Sequence, residues 1–251
     1  MIRLLRTLRA EWTKALSLPS IIGALVAAIV VPPALAVASG LSLDPTVAAA
    51  SSFPIESHGF ETAGFGQPLV ILLAALVAGT EYSGGQLRTM LLADPRRGRV
   101  LAAKLVVVTT LAVFVGLLGT TAAVVLKHAT LGEHGLSLSE FTAGMGWNLI
   151  GVSINYVLIG LIAALLTLLT RSIVVALAVL VPLVLGVTLS LLGLAPLLKY
   201  LPDVAGMQLL TSYPGVGLLD PIPGGIVMAT WTVLLGIAGW LAFRARDTGG
   251  G

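Results

Sequence analysis

Few residues in this chain of 251 have the type and spacing to do chemistry. The histidines come first, because imidazole is a common metal ligand and proton carrier. There are three, His58, His128 and His134, with Glu133 between the last two. That spacing fits neither H-E-x-x-H nor its inverted form, so no metal site is expected. The charge pattern places all three in outer loops, and solvated loop residues are the expected reading. Cysteine is absent, which removes disulfides, thiolate metal sites and a cysteine nucleophile. A phosphate-binding loop also fails, since Gly84-Gly85 runs into Gln86-Leu87-Arg88 with no following Lys-Ser/Thr. The chain is expected to carry no catalytic residue, nucleotide site or cofactor of its own.

Two features remain. Asn148 and Asn155 are seven apart and therefore share one helix face. In a membrane helix an amide is either a contact between helices, coupling with about 0.6 kcal/mol on average, or part of a polar substrate path. The helix contact is the expected reading, with the polar path as its alternative. The second feature is the polar stretch Gly79–Lys104. Glu81 closes an apolar run, and Leu87, Met90, Leu91 and Leu92 form a short apolar stripe with Arg88 on another side. Asp94-Pro95 ends that stripe, and Arg96, Arg97 and Arg99 lead into the next apolar run. A short helix held between two membrane helices, able to transmit a partner's movement, fits this pattern. So does a basic loop that merely sets orientation.

The elements that must position these residues follow from the scarcity of charge. Hydrophobic residues make up 57% of the chain and charged ones 10%, with mean hydropathy +1.04. Soluble domains carry roughly 25% charged residues, so a water-facing globule is excluded. Secreted, fibrous, disordered and nucleic-acid-binding proteins go with it, despite the pI near 9.5. Six charge-free windows (15–43, 62–80, 105–126, 141–170, 172–198 and 221–243) match the roughly 20 apolar residues a helix needs to cross a bilayer. With the N-terminus inside and six crossings, twelve of the 14 Lys and Arg fall inside, all but Lys127 and Lys199. Seven of the 11 acidic residues fall outside: Asp44, Glu56, Glu61, Glu133, Glu140, Asp203 and Asp220. Both termini are expected to be cytoplasmic, with the basic face directed at anionic lipid and a partner.

Residues 2–17 read as an amphipathic helix lying in the membrane interface. Ile2, Leu5, Leu8, Trp12 and Leu16 form its apolar face, and Arg3, Arg6, Arg9, Thr13, Lys14 and Ser17 the polar one. Pro19 ends it. The apolar run that follows is longer than a signal-peptide core and precedes five more, so cleavage is not expected. Spans are expected near 20–40, 66–83, 100–126, 143–170, 173–194 and 224–243, with kinks at Pro32-Pro33 and Pro182. Residues 195–223 are largely apolar but broken by Pro196, Pro202, Pro214, Pro221 and Pro223. A re-entrant pair of short helices is expected there rather than an ordinary outer loop, all within one transmembrane domain spanning 1–251. No Asp or Glu falls mid-span, which weighs against an ion-coupled secondary transporter, the alternative function.

The chain resembles the transmembrane permease subunits of ATP-binding-cassette (ABC) transporters of the type-2 exporter class. Leu8-Arg-Ala-Glu-Trp-Thr-Lys14 is similar to that class's opening basic helix, with Arg6, Arg9, Glu11, Trp12 and Lys14 as its site residues. Glu81, Gly85, Arg88, Thr89, Leu91, Pro95, Arg97 and Lys104 match its motif after span two. Gly85-Gln86 departs from the Gly-Thr often found there. The resemblance implies an all-α integral membrane protein with an interfacial helix at 2–17, a coupling helix at 84–97 that includes Arg96, and a re-entrant segment at 195–223. It also implies two copies of a separate ABC ATPase carrying ATP and Mg. The permease would pair as a homodimer or heterodimer in the cell membrane, with a path lined by spans two and five. The cargo would be a hydrophobic or amphipathic antibiotic, peptide or lipid, moved outward.

Overall fold

The computed structural model describes residues 2–42, 54–80, 97–211 and 217–245. No strand occurs among them. Helix α1 (Ile2–Ser17) stops at Leu18, and α2 (Pro19–Ser42) starts on Pro19. Proline suits that first helical position, because its missing N–H would have no intrahelical partner there. Then follow α3 (Ala63–Gly79), α4 (Arg97–Thr130), α5 (Ala143–Thr170), α6 (Ile173–Pro182), α7 (Thr188–Leu191), two one-turn helices α8 (Pro202–Ala205) and α9 (Met207–Leu210), and α10 (Pro221–Ala245). Six helical stretches are long and apolar enough to cross a membrane, with α6 and α7 together making the fifth. The chain is a multi-pass membrane protein.

Side-chain size decides how these helices pack. In α2 the buried positions Ala24, Ala28, Pro32, Ala36 and Gly40 recur every four residues. That gives a continuous stripe of small residues against which α4 lies closely. A Cβ at Gly40 would overlap the Thr130 side chain, so the close approach requires glycine there. Burial is uneven across the bundle: 67% of the α3 window and 61% of the α5 window are buried, against 17% for α6–α7 and 11% for α10. Helix α3 touches α2, α4, α5 and α6 and forms the centre.

The turn between α5 and α6 is as tight as the sequence implies. Arg171 takes a left-handed conformation (φ 54°), and the Ser172 hydroxyl accepts from Val175 N at 3.3 Å to cap α6. After Pro182 the helix widens into a π-type turn, Leu183–Val187, where Gly186 has φ 107°. Proline supplies no N–H to the ladder, and glycine alone tolerates the reversal. The fifth span is thus two half-helices about that break.

Tyr156 on α5 donates to the Ala63 carbonyl at 2.7 Å and fixes the start of α3. A methyl group at Gly66 would overlap the Tyr156 hydroxyl, whereas one at Gly64 would meet nothing within 4 Å. Gly66→Ala is therefore expected to destabilise by about 1–3 kcal/mol, the usual cost of overpacking. Gly64→Ala is expected to be neutral or slightly stabilising. Thermal unfolding of the two variants side by side checks this.

Two expectations change on the opposite side of the bundle from α1. Helix α4 continues to Thr130 because Gly132 is its first stop signal, so Lys127 and His128 lie in its last turn and not in a loop. The chain after it folds back over them. Lys127 is 1% and His128 3% exposed, and only His134 is the solvated residue expected. His128 Nδ1 accepts from Leu136 N at 3.1 Å, and its ring meets Phe141 edge-on at 5.9 Å.

Candidate functional site

Most of the 84–97 motif (Gly85, Arg88, Thr89, Leu91, Pro95 and Arg96), and Glu81 with it, lies outside the described residues, as does the Arg97 side chain. What the structure places is the frame around it. Helix α3 ends at Gly79, packed so closely on Thr167 and Ile173 that a Cβ there would clash. Helix α4 begins at Arg97, and two turns along it sits Lys104.

Lys104 reaches α1. Its Nζ donates to Glu11 Oε2 at 3.1 Å, both side chains are at most 3% exposed, and Lys14 Nζ lies 3.7 Å from the same oxygen. Glu11 Oε1 has no hydrogen-bond partner. Two cations thus bracket one buried carboxylate, and Lys104 ties α1 to the helix that leaves the motif. Each residue stood out in the sequence for its place in a motif, but their pairing across 93 positions left no signal.

The face that α1 turns to the bundle is Glu11 and Ala15, with Leu8 and Trp12 packed partly against the core. Leu5 and Leu16 are 53% and 56% exposed, and Arg6 and Arg9 are exposed. The apolar stripe read from the sequence is therefore only half covered by the chain's own bundle.

Asn148 and Asn155 both act on the two one-turn helices. Asn155, 0% exposed, accepts from Gln67 Nε2 at 2.9 Å and donates to the Gly206 carbonyl at 2.9 Å, with Met228 Sδ at 3.7 Å. Asn148 Nδ2 donates to the Leu210 carbonyl at 2.9 Å. Both amides thus bond the 202–211 segment to α5. A Cβ at Gly206 would collide with both Asn155 and Met228. Gln67 went unnoticed in the sequence, although an amide inside an apolar run is a readable signal.

Further polar residues cluster away from α1. Lys127 Nζ bonds Ser39 Oγ at 2.7 Å and sits 3.5 Å from Glu61 Oε1, whose other oxygen accepts from Gly59 N. Asp203 on α8 is buried, and burial raises its carboxyl above the ordinary aspartate value; the nearby Thr188 hydroxyl and backbone N–H groups oppose this. The Thr188 hydroxyl does not reach hydrogen-bond geometry, and Asp203 Oδ1 is unpartnered. Among the described residues no three His, Cys, Asp or Glu side chains group as metal ligands.

The frame described above is one that a moving partner could act on, and comparison with known families identifies it. The model of the ABC-2 family transporter protein matches residues 7–190, nearly three-quarters of the chain. The chain belongs to the ABC-2 transporter family. No curated protein matches it. The ABC-2 match begins inside α1, takes in the motif and Lys104, and ends within α7, so the Glu11–Lys104 pair and both asparagines fall inside it. The one-turn helices and α10 fall beyond it. Membership makes the chain a membrane component of an ABC transporter, a class that works with an ABC ATPase.

Proposed function

We propose that this chain is the permease of an ATP-driven exporter, moving a hydrophobic or amphipathic cargo such as an antibiotic, peptide or lipid-like molecule out of the cell. ATP and Mg act on a separate ATPase, two copies of which serve a pair of permeases, either identical or different. The chain sits in the cell membrane with both termini cytoplasmic and segment 84–97 seated on the ATPase.

The observation that carries this reading is the buried Glu11–Lys104 pair. It joins α1 to α4 about 10 Å along the helix from the motif's end, so force entering at 84–97 reaches both helices together. The exposed Leu5, Leu16, Arg6 and Arg9 support an interfacial place for α1, apolar toward acyl chains and basic toward anionic headgroups. Backbone at membrane depth must be covered by protein. The asparagine bonds to Gly206 and Leu210 support a re-entrant 195–223 on that ground.

The test is Arg88→Glu, together with a Pro95 substitution, in the permease co-expressed with its ATPase. Reversing a charge at such an interface is expected to cut transport about tenfold or more while ATP hydrolysis persists and the permease still folds. Normal transport and ATPase binding in a triple mutant of the 84–97 surface would sink the proposal. Transport that survives ATP depletion but collapses with the proton gradient would favour the ion-coupled carrier.

A further inference from the structure

Where α3 starts, α6 breaks at its π-type turn and α8–α9 fold inward, the packing leaves a cavity of about 70 Å³. This is several times what one water needs, yet far below the roughly 300 Å³ at which pockets for whole organic ligands begin. Its wall includes Glu61, Gly64, Gln67, Gly186, Asp203 and Thr211.

The charges on that wall are not balanced. Glu61 is already served by Lys127 and by the Gly59 N–H. Asp203 is only 5% exposed, and its Oδ1 has no hydrogen-bond partner. A buried carboxylate in that condition must either take a proton or meet a cation. Gln67 has committed its Nε2 to Asn155, so what it can add is an oxygen, and Thr211 can add another. One carboxylate with neutral oxygens is a donor set for a hard ion of low charge. A divalent cage would need several anionic ligands, and among the described residues no such group exists.

We infer that this cavity binds one small monovalent cation, either an alkali-metal ion or the ammonium end of a larger molecule, with Asp203 as its charge partner. The site rests on the cavity and its unpaired carboxylate, and holds whichever way cargo moves and whatever drives it.

Thermal unfolding of the full chain in lipid nanodiscs tests this. Sodium chloride and methylammonium chloride are compared with N-methylglucamine chloride, whose cation is too large to enter, at equal ionic strength. Sodium or methylammonium is expected to raise the midpoint by about 2–4 °C over the large cation. A rise with sodium alone identifies an inorganic ion, and a rise with methylammonium alone identifies an ammonium group. Asp203→Asn should abolish the difference, and Glu61→Gln should keep it. Gly64→Leu fills the cavity from a position with open space for a side chain and leaves Asp203 intact, so it decides the matter even if Asp203→Asn fails to fold. No cation dependence in the natural chain, or the same dependence in Asp203→Asn or Gly64→Leu, would overturn the inference.

Discussion

Lys104→Met is expected to lower the unfolding midpoint by roughly 6–15 °C, and adding Glu11→Gln to restore most of it. The asymmetry follows from burial. Removing one member of a buried ion pair leaves the other as an uncompensated charge, at a cost of about 3–5 kcal/mol. Removing both leaves neutral groups of similar volume, which is often close to neutral in effect. Lys14, 3.7 Å from Glu11, still faces the carboxylate in the single mutant, which places the loss toward the lower end. Glu11→Gln alone should also destabilise, and the double-mutant cycle gives the coupling between the two residues. If the two single mutants simply add, α1 is held to α4 by its apolar contacts and not by this pair. In the assembled transporter the same variants are expected to loosen the link between ATP hydrolysis and transport, since α1 and α4 would no longer move as one.

Asn155→Leu is expected to free residues 202–211, with hydrogen exchange there rising well above that of α5. Membrane hydrogen bonds between helices average about 0.6 kcal/mol, which alone would not release a segment. Asn155, however, is wholly enclosed and serves two polar groups at once, the Gln67 amide and the Gly206 carbonyl. Leucine would leave the Gln67 amide buried and unsatisfied, at about 1–3 kcal/mol, and would take from the Gly206 carbonyl its bond to α5, leaving it only the Leu209 N–H at 3.1 Å. Asn148→Leu removes one bond from a half-buried site and should cost near the 0.6 kcal/mol average. Exchange at 202–211 should therefore rise strongly in the first variant and little in the second. Equal behaviour would mean that apolar contacts of α8 and α9 hold the segment without the amides.

The spans were readable because each is bounded by charges that a bilayer excludes, and the α1–α2 boundary because Pro19, directly after the polar end of α1, suits the first turn of a new helix. That Asn148 and Asn155 act on one side of α5 followed from their spacing. Their partners did not, because Gly206 and Leu210 contribute backbone carbonyls, which carry no residue signature. Lys127 and His128 were misplaced for a related reason. A charge in an apolar sequence marks a boundary only while it faces water, and Ser39, Glu61 and the chain after Leu131 keep both residues from it. The Glu11–Lys104 and Gln67–Asn155 contacts join helices far apart in sequence. Only packing decides which of several buried polar groups meet.

Helix α3 ends at Gly79, with Thr80 as its C-cap beside the motif, and is also the most enclosed helix in the bundle. Its last residues press on Thr167 and Ile173, its middle on α4 and α5, and its start is held by Tyr156. A piston cannot slide in a sleeve that grips it along its whole length. If a partner pushes at Thr80, as the proposed coupling requires, this packing is expected to tilt α3, α5 and α6 together as one lever. The π-type turn at Gly186, where the helical geometry already breaks, is where such a lever would be expected to bend.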